Sequence, residues 1–405
     1  MKFHDRRLLT ATAYLIVFSM AGTSAFAEPI PRERALDAMR RSVNFYRQQV
    51  AAHGGYVYRY SADLKKREGE GKVDLETVWV QPPGTPAVGL AYLDAFERTQ
   101  QPELLEAARA AGECLIQGQL RSGGWQDRIE FAPAARAKMA YRIDPVRRRG
   151  RNSTSFDDDK TQSAMRFLMR LDQALDFKDE PVHETIQFAL DAVLKAQFPN
   201  GGWSQVFDSF PDPDLSPVKP ASYPAESLRE YPGGDYWLHY TLNDNAIADT
   251  IDMLLLAARI YDSPRYRDAA VKAGGFLLLA QLPAPQPAWA QQYNLDMHPV
   301  WARKFEPPAV SGSESQGVIQ TLLDLYVETA DQRFLKPIAP AIDYLQGSKL
   351  PDGQLARFYE LRTNKPLYFT RSYQLTYPGL RTASSAELRR FSPTGSGLVA
   401  RAGVW

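Results

Sequence analysis

One cysteine, Cys114, stands in 405 residues, which excludes an internal disulfide and any zinc site built from several thiolates. Charge of one sign is lacking too, since 48 Lys and Arg face 47 Asp and Glu for a formal net charge of +1. No global field therefore draws the chain to nucleic acid or to anionic membranes, and an anionic ligand has to be held by local charge. The five histidines, His4, His53, His183, His239 and His298, are scattered, with none in a metal-binding pair. A Gly-Xaa-Ser-Xaa-Gly elbow, a phosphate-binding loop and a dinucleotide fingerprint are all absent. Beyond residue 27 no apolar run reaches the ~20 residues that a bilayer span needs.

What is present is a composition that is 44% hydrophobic and 23% charged, enough apolar surface for a sizeable core. Lys2, Arg6 and Arg7 precede the apolar run from Leu8 to Met20, which is followed by Ala25-Phe26-Ala27. This is the pattern of an export signal over residues 1–27, so a periplasmic or secreted protein is expected, with one domain over 28–405.

Apolar residues then recur at helical spacing. Ile247, Ile251, Leu254, Leu255 and Ala258 form one stripe; after Asp262-Ser263-Pro264, Tyr266, Ala269, Ala270, Ala273, Leu277 and Ala280 form a second. Together they predict an antiparallel helical hairpin with proline near the second start. Equivalent pairs run from about Pro86 to Gln119, from Thr161 to Gln197 and from Glu314 to Lys349. Their exits are alike: Gln119 leads to Gly123-Gly124-Trp125, Gln197 to Gly201-Gly202-Trp203 and Gln281 to Trp289. Such repetition predicts an all-α chain whose hairpins curl into an incomplete α/α toroid, with the exits of Trp125, Trp203 and Trp289 at one end. The proline-rich connection from Ser209 to Tyr240 is too long for an ordinary linker and reads as a lid or a cleft wall.

Two acidic turns occupy equivalent places. Asp157-Asp158-Asp159 precedes the helix near Thr161, and Asn243-Asp244-Asn245 precedes the helix near Ala246. One reading is helix capping. The other is a hard-cation site, because adjacent carboxylates repel unless a cation such as Ca²⁺ or Mg²⁺ lies between them. Residues 288–308 combine Trp289, Tyr293, Trp301 and Phe305 with Arg303 and Lys304. Aromatic faces and adjacent cations suit a sugar carrying carboxylates, and a structural loop with solvated charges suits them as well.

Taken together, Ser155 to Asp159, Gly201-Gly202-Trp203-Ser204-Gln205, Tyr240 to Ala246, Trp301 to Pro308, Ser311 to Ser315 and Arg357 to Pro366 resemble the family 10 pectate lyases, in that family's order over residues 75–377. The resemblance implies an incomplete α/α barrel and calcium-dependent β-elimination of polygalacturonate or a related uronate polymer. It implies that Asp157 and Asp244 bind Ca²⁺, that Arg303 is the proton-abstracting base and that Arg371 binds substrate; Asp158 is expected to join the metal ligands, and Trp203, Asn245 and Lys304 the substrate contacts. The chain departs from the family at Thr370-Arg371-Ser372-Tyr373, where Gly-Arg-Asp-Gly is common, and in the tail over 378–405. The rival readings are a polysaccharide-binding toroid without turnover and a glycoside hydrolase that uses two carboxylates.

Overall fold

A computed structural model describes residues 31–146, 150–226 and 228–377. The export signal expected over 1–27 and the atypical tail over 378–405 lie outside the described residues. The chain divides into two compact units between Ser42 and Val43. In the first, the described residues 32–42 belong to helix α1 (Arg32–Phe45).

The second unit contains the predicted pairs: α2 (Thr85–Thr99) with α3 (Pro102–Gly118), α5 (Lys160–Ala174) with α6 (Glu180–Lys195), α7 (Ala246–Tyr261) with α8 (Pro264–Leu279), and α9 (Gly312–Thr329) with α10 (Ile338–Gly347); α4 (Pro133–Arg136) is a single turn between the first two pairs. Pro86, Pro102, Pro181 and Pro264 sit in first turns, where a missing N–H costs no intrahelical bond. Helices α2, α7 and α9 each end on a left-handed residue, Gln100, Asp262 and Ala330, whose N–H closes on the carbonyl four residues back. The first helices of successive pairs pack on one another, α2 on α5, α5 on α7 and α7 on α9, and the second helices flank them outside. The architecture is the incomplete α/α toroid.

Short strands, which helical periodicity does not reveal, tie each pair shut. Thr77–Trp79 before the first pair bonds antiparallel to Arg128–Glu130 after it, and Thr154–Ser155 bonds to Val206–Phe207 across the second. Tyr240–Thr241 and Gln292–Tyr293 do the same for the third, and Ala309–Ser311 and Phe358–Glu360 for the fourth. The N–H groups of Ser155, Thr241 and Ser311 then donate to the carbonyls of Trp125, Trp203 and Trp289. Every outgoing turn is thereby bonded to the next incoming one, so the three tryptophan turns share one end, as the repeat predicts.

The recurrent glutamine has a physical role as well. Gln119 Nε2 donates to Gly123 O and Thr185 O, Gln197 Nε2 to Gly201 O and Ala269 O, and Gln281 Nε2 to Pro287 O and Pro337 O. Each amide thus satisfies carbonyls of its own turn and of the neighbouring outer element. Beneath the turns Trp125, Trp203 and Trp289 are fully buried, and their Nε1 groups donate to Leu115 O, Val193 O and Leu277 O.

The proline-rich connection is a fixed wall and not a lid. Ala221 N and Ser222 N donate to Leu279 O and Met297 O at 2.7 and 3.1 Å, Trp301 Nε1 reaches Leu228 O at 2.9 Å, and Arg229 pairs with Glu360. Arg362 donates to Pro224 O while its guanidinium lies over the Tyr223 ring.

Gly201 offers a test of the turn geometry. Its φ is +95°, and a Cβ there would stand 2.1 Å from Lys272 O. Gly201→Ala is expected to cost about 2–4 kcal/mol, because left-handed strain adds to a clash with backbone that cannot move aside. Gly234→Ala, with φ +111° and no atom within 4 Å of the new methyl, carries the backbone strain without the clash and should cost less, about 1–2 kcal/mol. Urea midpoints of the two variants check the difference; equal midpoints would show that the tight approach of Gly201 to α8 does not exist in solution.

Candidate active site

The turns Asp157–Asp159 and Asn243–Asn245 lead directly into α5 and α7. In both, the last two residues are left-handed: φ is 48° at Asp158, 60° at Asp159, 50° at Asp244 and 57° at Asn245. Asp and Asn tolerate this conformation better than other residues with a Cβ, and its cost, about 1–3 kcal/mol each, is typical of sites where geometry serves chemistry. At the N-cap positions, neither Asp159 nor Asn245 makes a side-chain cap bond. The capping reading therefore fails at both turns. In matched position, Asp158 corresponds to Asp244, Asp157 to Asn243 and Lys160 to Ala246.

Because α5 packs on α7, the two turns meet. One carboxylate oxygen from each of Asp157, Asp158 and Asp244 lies within 4.8 Å of the others. Calcium takes oxygens at about 2.3–2.6 Å, so two of its ligands are at most about 5 Å apart, and this oxygen set fits such an ion. Burial, reinforced by the charges of Asp158 and Asp157, pushes the Asp244 carboxyl up to about 7. Asp158 is also raised, by burial and then by Asp157. Carboxylates crowded in this way stay ionised only with positive charge among them.

The partners of the cluster come from distant turns. Asp157 Oδ1 accepts from Gln205 Nε2 at 2.7 Å, and its Oδ2 accepts from Lys160 Nζ at 2.7 Å. Asp158 Oδ2 accepts from Gln81 Nε2 at 3.1 Å, and the same amide donates to Glu70. Asp244 accepts from the Asn243 side chain, and Asp159 pairs with Arg166. Gln81, Glu70 and Lys160 were not singled out by the sequence reading. The position of Gln81 in the turn before α2, matching the acidic turns before α5 and α7, is the signal that points to it.

Arg303 lies close enough for its charge to act on Asp158 and Asp244. Its backbone N and Nε donate to Glu306 Oε2 at 3.1 and 2.7 Å, and its NH2 donates to Oε1 at 2.5 Å. Glu306 is 1% exposed and also accepts from Arg357 NH2 at 3.1 Å. The Glu306 hydrogen bonds raise the Arg303 pKa above its already high ordinary value, so the free protein holds this guanidinium protonated. Lys304 is exposed, with Nζ 4.2 Å from the Tyr373 ring centroid, and Tyr373 rests on Phe305. The turn that carries exposed Arg371 is thereby docked beside the Arg303 segment. Tyr236, from the fixed wall, is half-buried and feels the charges of Arg303 and Asp157.

Two expected substrate contacts stand apart from this group. Trp203 is 1% exposed and edge-on to Phe156, so it has no face open to a sugar; the correction is that it anchors the turn, as Trp125 and Trp289 do. Its packing under the turn, not its residue type, decides this. Asn245 lines a narrow crevice with Leu242, Glu314 and Thr321, on the side toward α9.

The family model described as pectic acid lyase matches residues 119–354, more than half of the chain. Among solved structures, the chain is similar to a family 10 polysaccharide lyase from Cellvibrio cellulosa, an alanine mutant in complex with trigalacturonic acid, at 20% identity and TM-score 0.47 over 72% of this chain and 88% of that one. It is similar as well to cellobiose 2-epimerase from Spirochaeta thermophila, at 17% identity and TM-score 0.43 over 81% of this chain and 77% of that one. No curated protein matches the chain.

Proposed function

The chain belongs to the pectic acid lyase family and is a polysaccharide lyase, and from that premise we propose that it is an exported, calcium-dependent enzyme that cleaves polygalacturonate or a related uronate polymer by β-elimination. The observation that carries the reading is the convergence of Asp157, Asp158 and Asp244 beside Arg303. The trigalacturonic acid in the similar Cellvibrio structure supports an anionic polysaccharide as substrate. The lyase chemistry resides in the single toroid, and the pattern over 1–27 supports export.

Asp157, Asp158 and Asp244 would hold the calcium ion. When bound, the ion supplies positive charge to the substrate carboxylate and so favours loss of the adjacent C5 proton. Arg303 faces that proton as base. Glu306 keeps its guanidinium protonated in the free protein, so to act as base the fork would have to turn from Glu306 toward C5–H and give up its proton, which burial under bound substrate and a cation held by the three aspartates would favour. The C5–H pair becomes the C4–C5 double bond, the C4–O bond breaks, and the departing oxygen takes a proton from solvent. Lys304 and Arg371, on one exposed rim, would bind carboxylates of neighbouring sugar units, and Asn245 would contact substrate from the α9 side. No such role is proposed for Trp203.

The test is the ultraviolet absorbance of products from polygalacturonate, with calcium and with a chelator. Elimination leaves a conjugated double bond and absorbance grows only with calcium. New reducing ends without absorbance would replace the lyase with a hydrolase, and binding without either would leave a carbohydrate-binding toroid.

A further inference from the structure

The cation site is asymmetric in a way that the repeat makes visible. The two turns share backbone conformation and position, yet the residue that opens the following helix is Lys160 in one and Ala246 in the other. Lysine is out of place there. In the first turn of a helix it faces the positive end of the dipole, and at 9% exposure its long chain has given up most of its hydration. A local structural need does not explain it, because alanine serves at the matched position of α7.

Its partner explains it. Lys160 Nζ lies 2.7 Å from Asp157 Oδ2, and its charge also acts on Asp158. The other acid of that turn, Asp159, is neutralised by Arg166. Asp158 and Asp244 receive hydrogen bonds from the side-chain amides of Gln81 and Asn243. Within the three-carboxylate cluster, the ammonium of Lys160 is thus a positive charge built into the chain, and it occupies one of the two oxygens of a carboxylate that the proposed cation would use.

We infer that Lys160 is a resident counter-cation of the acidic cluster, which competes with the divalent ion for Asp157 and sets its affinity. This rests on the reading of Asp157, Asp158 and Asp244 as calcium ligands and extends it: with Lys160 in place, the cluster stays assembled without metal, and calcium binding has to displace the ammonium from Asp157 Oδ2. The displaced ammonium is then available to a substrate carboxylate, so metal uptake and substrate binding favour each other.

The experiment is calorimetric titration of the full chain with calcium chloride alone, comparing wild type with Lys160→Ala, which copies the matched position of α7, and with Lys160→Met, which keeps the length of the buried stem. Both variants are expected to bind calcium at least about tenfold more tightly, since a like charge next to the ion has been removed. Melting temperatures give a second readout. Without calcium the variants should melt below wild type, because the cluster has lost its counter-charge, and calcium should raise their melting temperature more than that of wild type. Calcium affinity in Lys160→Met equal to or weaker than wild type overturns the inference while leaving the calcium site intact. Absence of calcium binding in all three proteins overturns the inference together with the reading it rests on. If Lys160→Ala fails to fold, Lys160→Met decides.

Discussion

Arg303→Lys is expected to lower kcat on polygalacturonate by about two to three orders of magnitude, while binding measured by calorimetry changes by less than about threefold. The variant keeps a positive charge beside Asp158 and Asp244, so long-range attraction for substrate is retained. It loses the planar fork that now spans Glu306 Oε1 and Oε2, and the basic nitrogen moves to the end of a flexible stem. A base contributes only as the C5 proton moves, which is why the effect should appear in kcat and not in affinity. Retention of most of the wild-type kcat would reduce Arg303 to an electrostatic contact, in line with its protonated state in the free protein, and another group would then have to take the proton.

Asp244→Ala should reduce activity at a fixed, limiting calcium concentration by about a hundredfold or more, since one of the three carboxylates proposed to hold the ion is lost. The helical circular dichroism should not change. The side chain of Asp244 caps no helix, and the first turn of α7 keeps its backbone bonds. In the absence of calcium the melting temperature of the variant should stay close to that of wild type, because removing a buried carboxylate repelled by Asp158 and Asp157 offsets the poorer fit of alanine to a φ of 50°. Loss of a capping aspartate would lower it, so a lower melting temperature together with unchanged calcium dependence would return the residue to a structural role.

Much of the molecule was legible before any coordinates. Helical stripes repeat every three to four residues, prolines mark second-helix starts, and Gln119, Gln197 and Gln281 mark the exits. These are local signals, and local signals survive in a sequence because the backbone bonds they reflect span only a few residues. The acidic turns and the Arg303 segment stood out for the same reason, as short runs of unusual composition. What no local pattern encodes is which distant turns meet. Gln81 reaches Asp158 across 77 positions and Gln205 reaches Asp157 across 48, contacts made only by stacking the pairs.

Burial was the second quantity withheld from the sequence. The sequence marks Trp203 as an expected substrate contact, and only packing put it beneath the turn. The long proline-rich connection read equally as a lid or a wall until its backbone bonds to Met297 and Leu279 and its pair with Glu360 made it a wall. The burial of Lys160 and of Glu306 has no signature in the sequence. The sequence by itself determined the helix pairs, their exits and the residue types that carry the chemistry. Tertiary structure alone decided which of those charges face each other, since that depends on the stacking of elements far apart in the chain and on how much water the packing excludes.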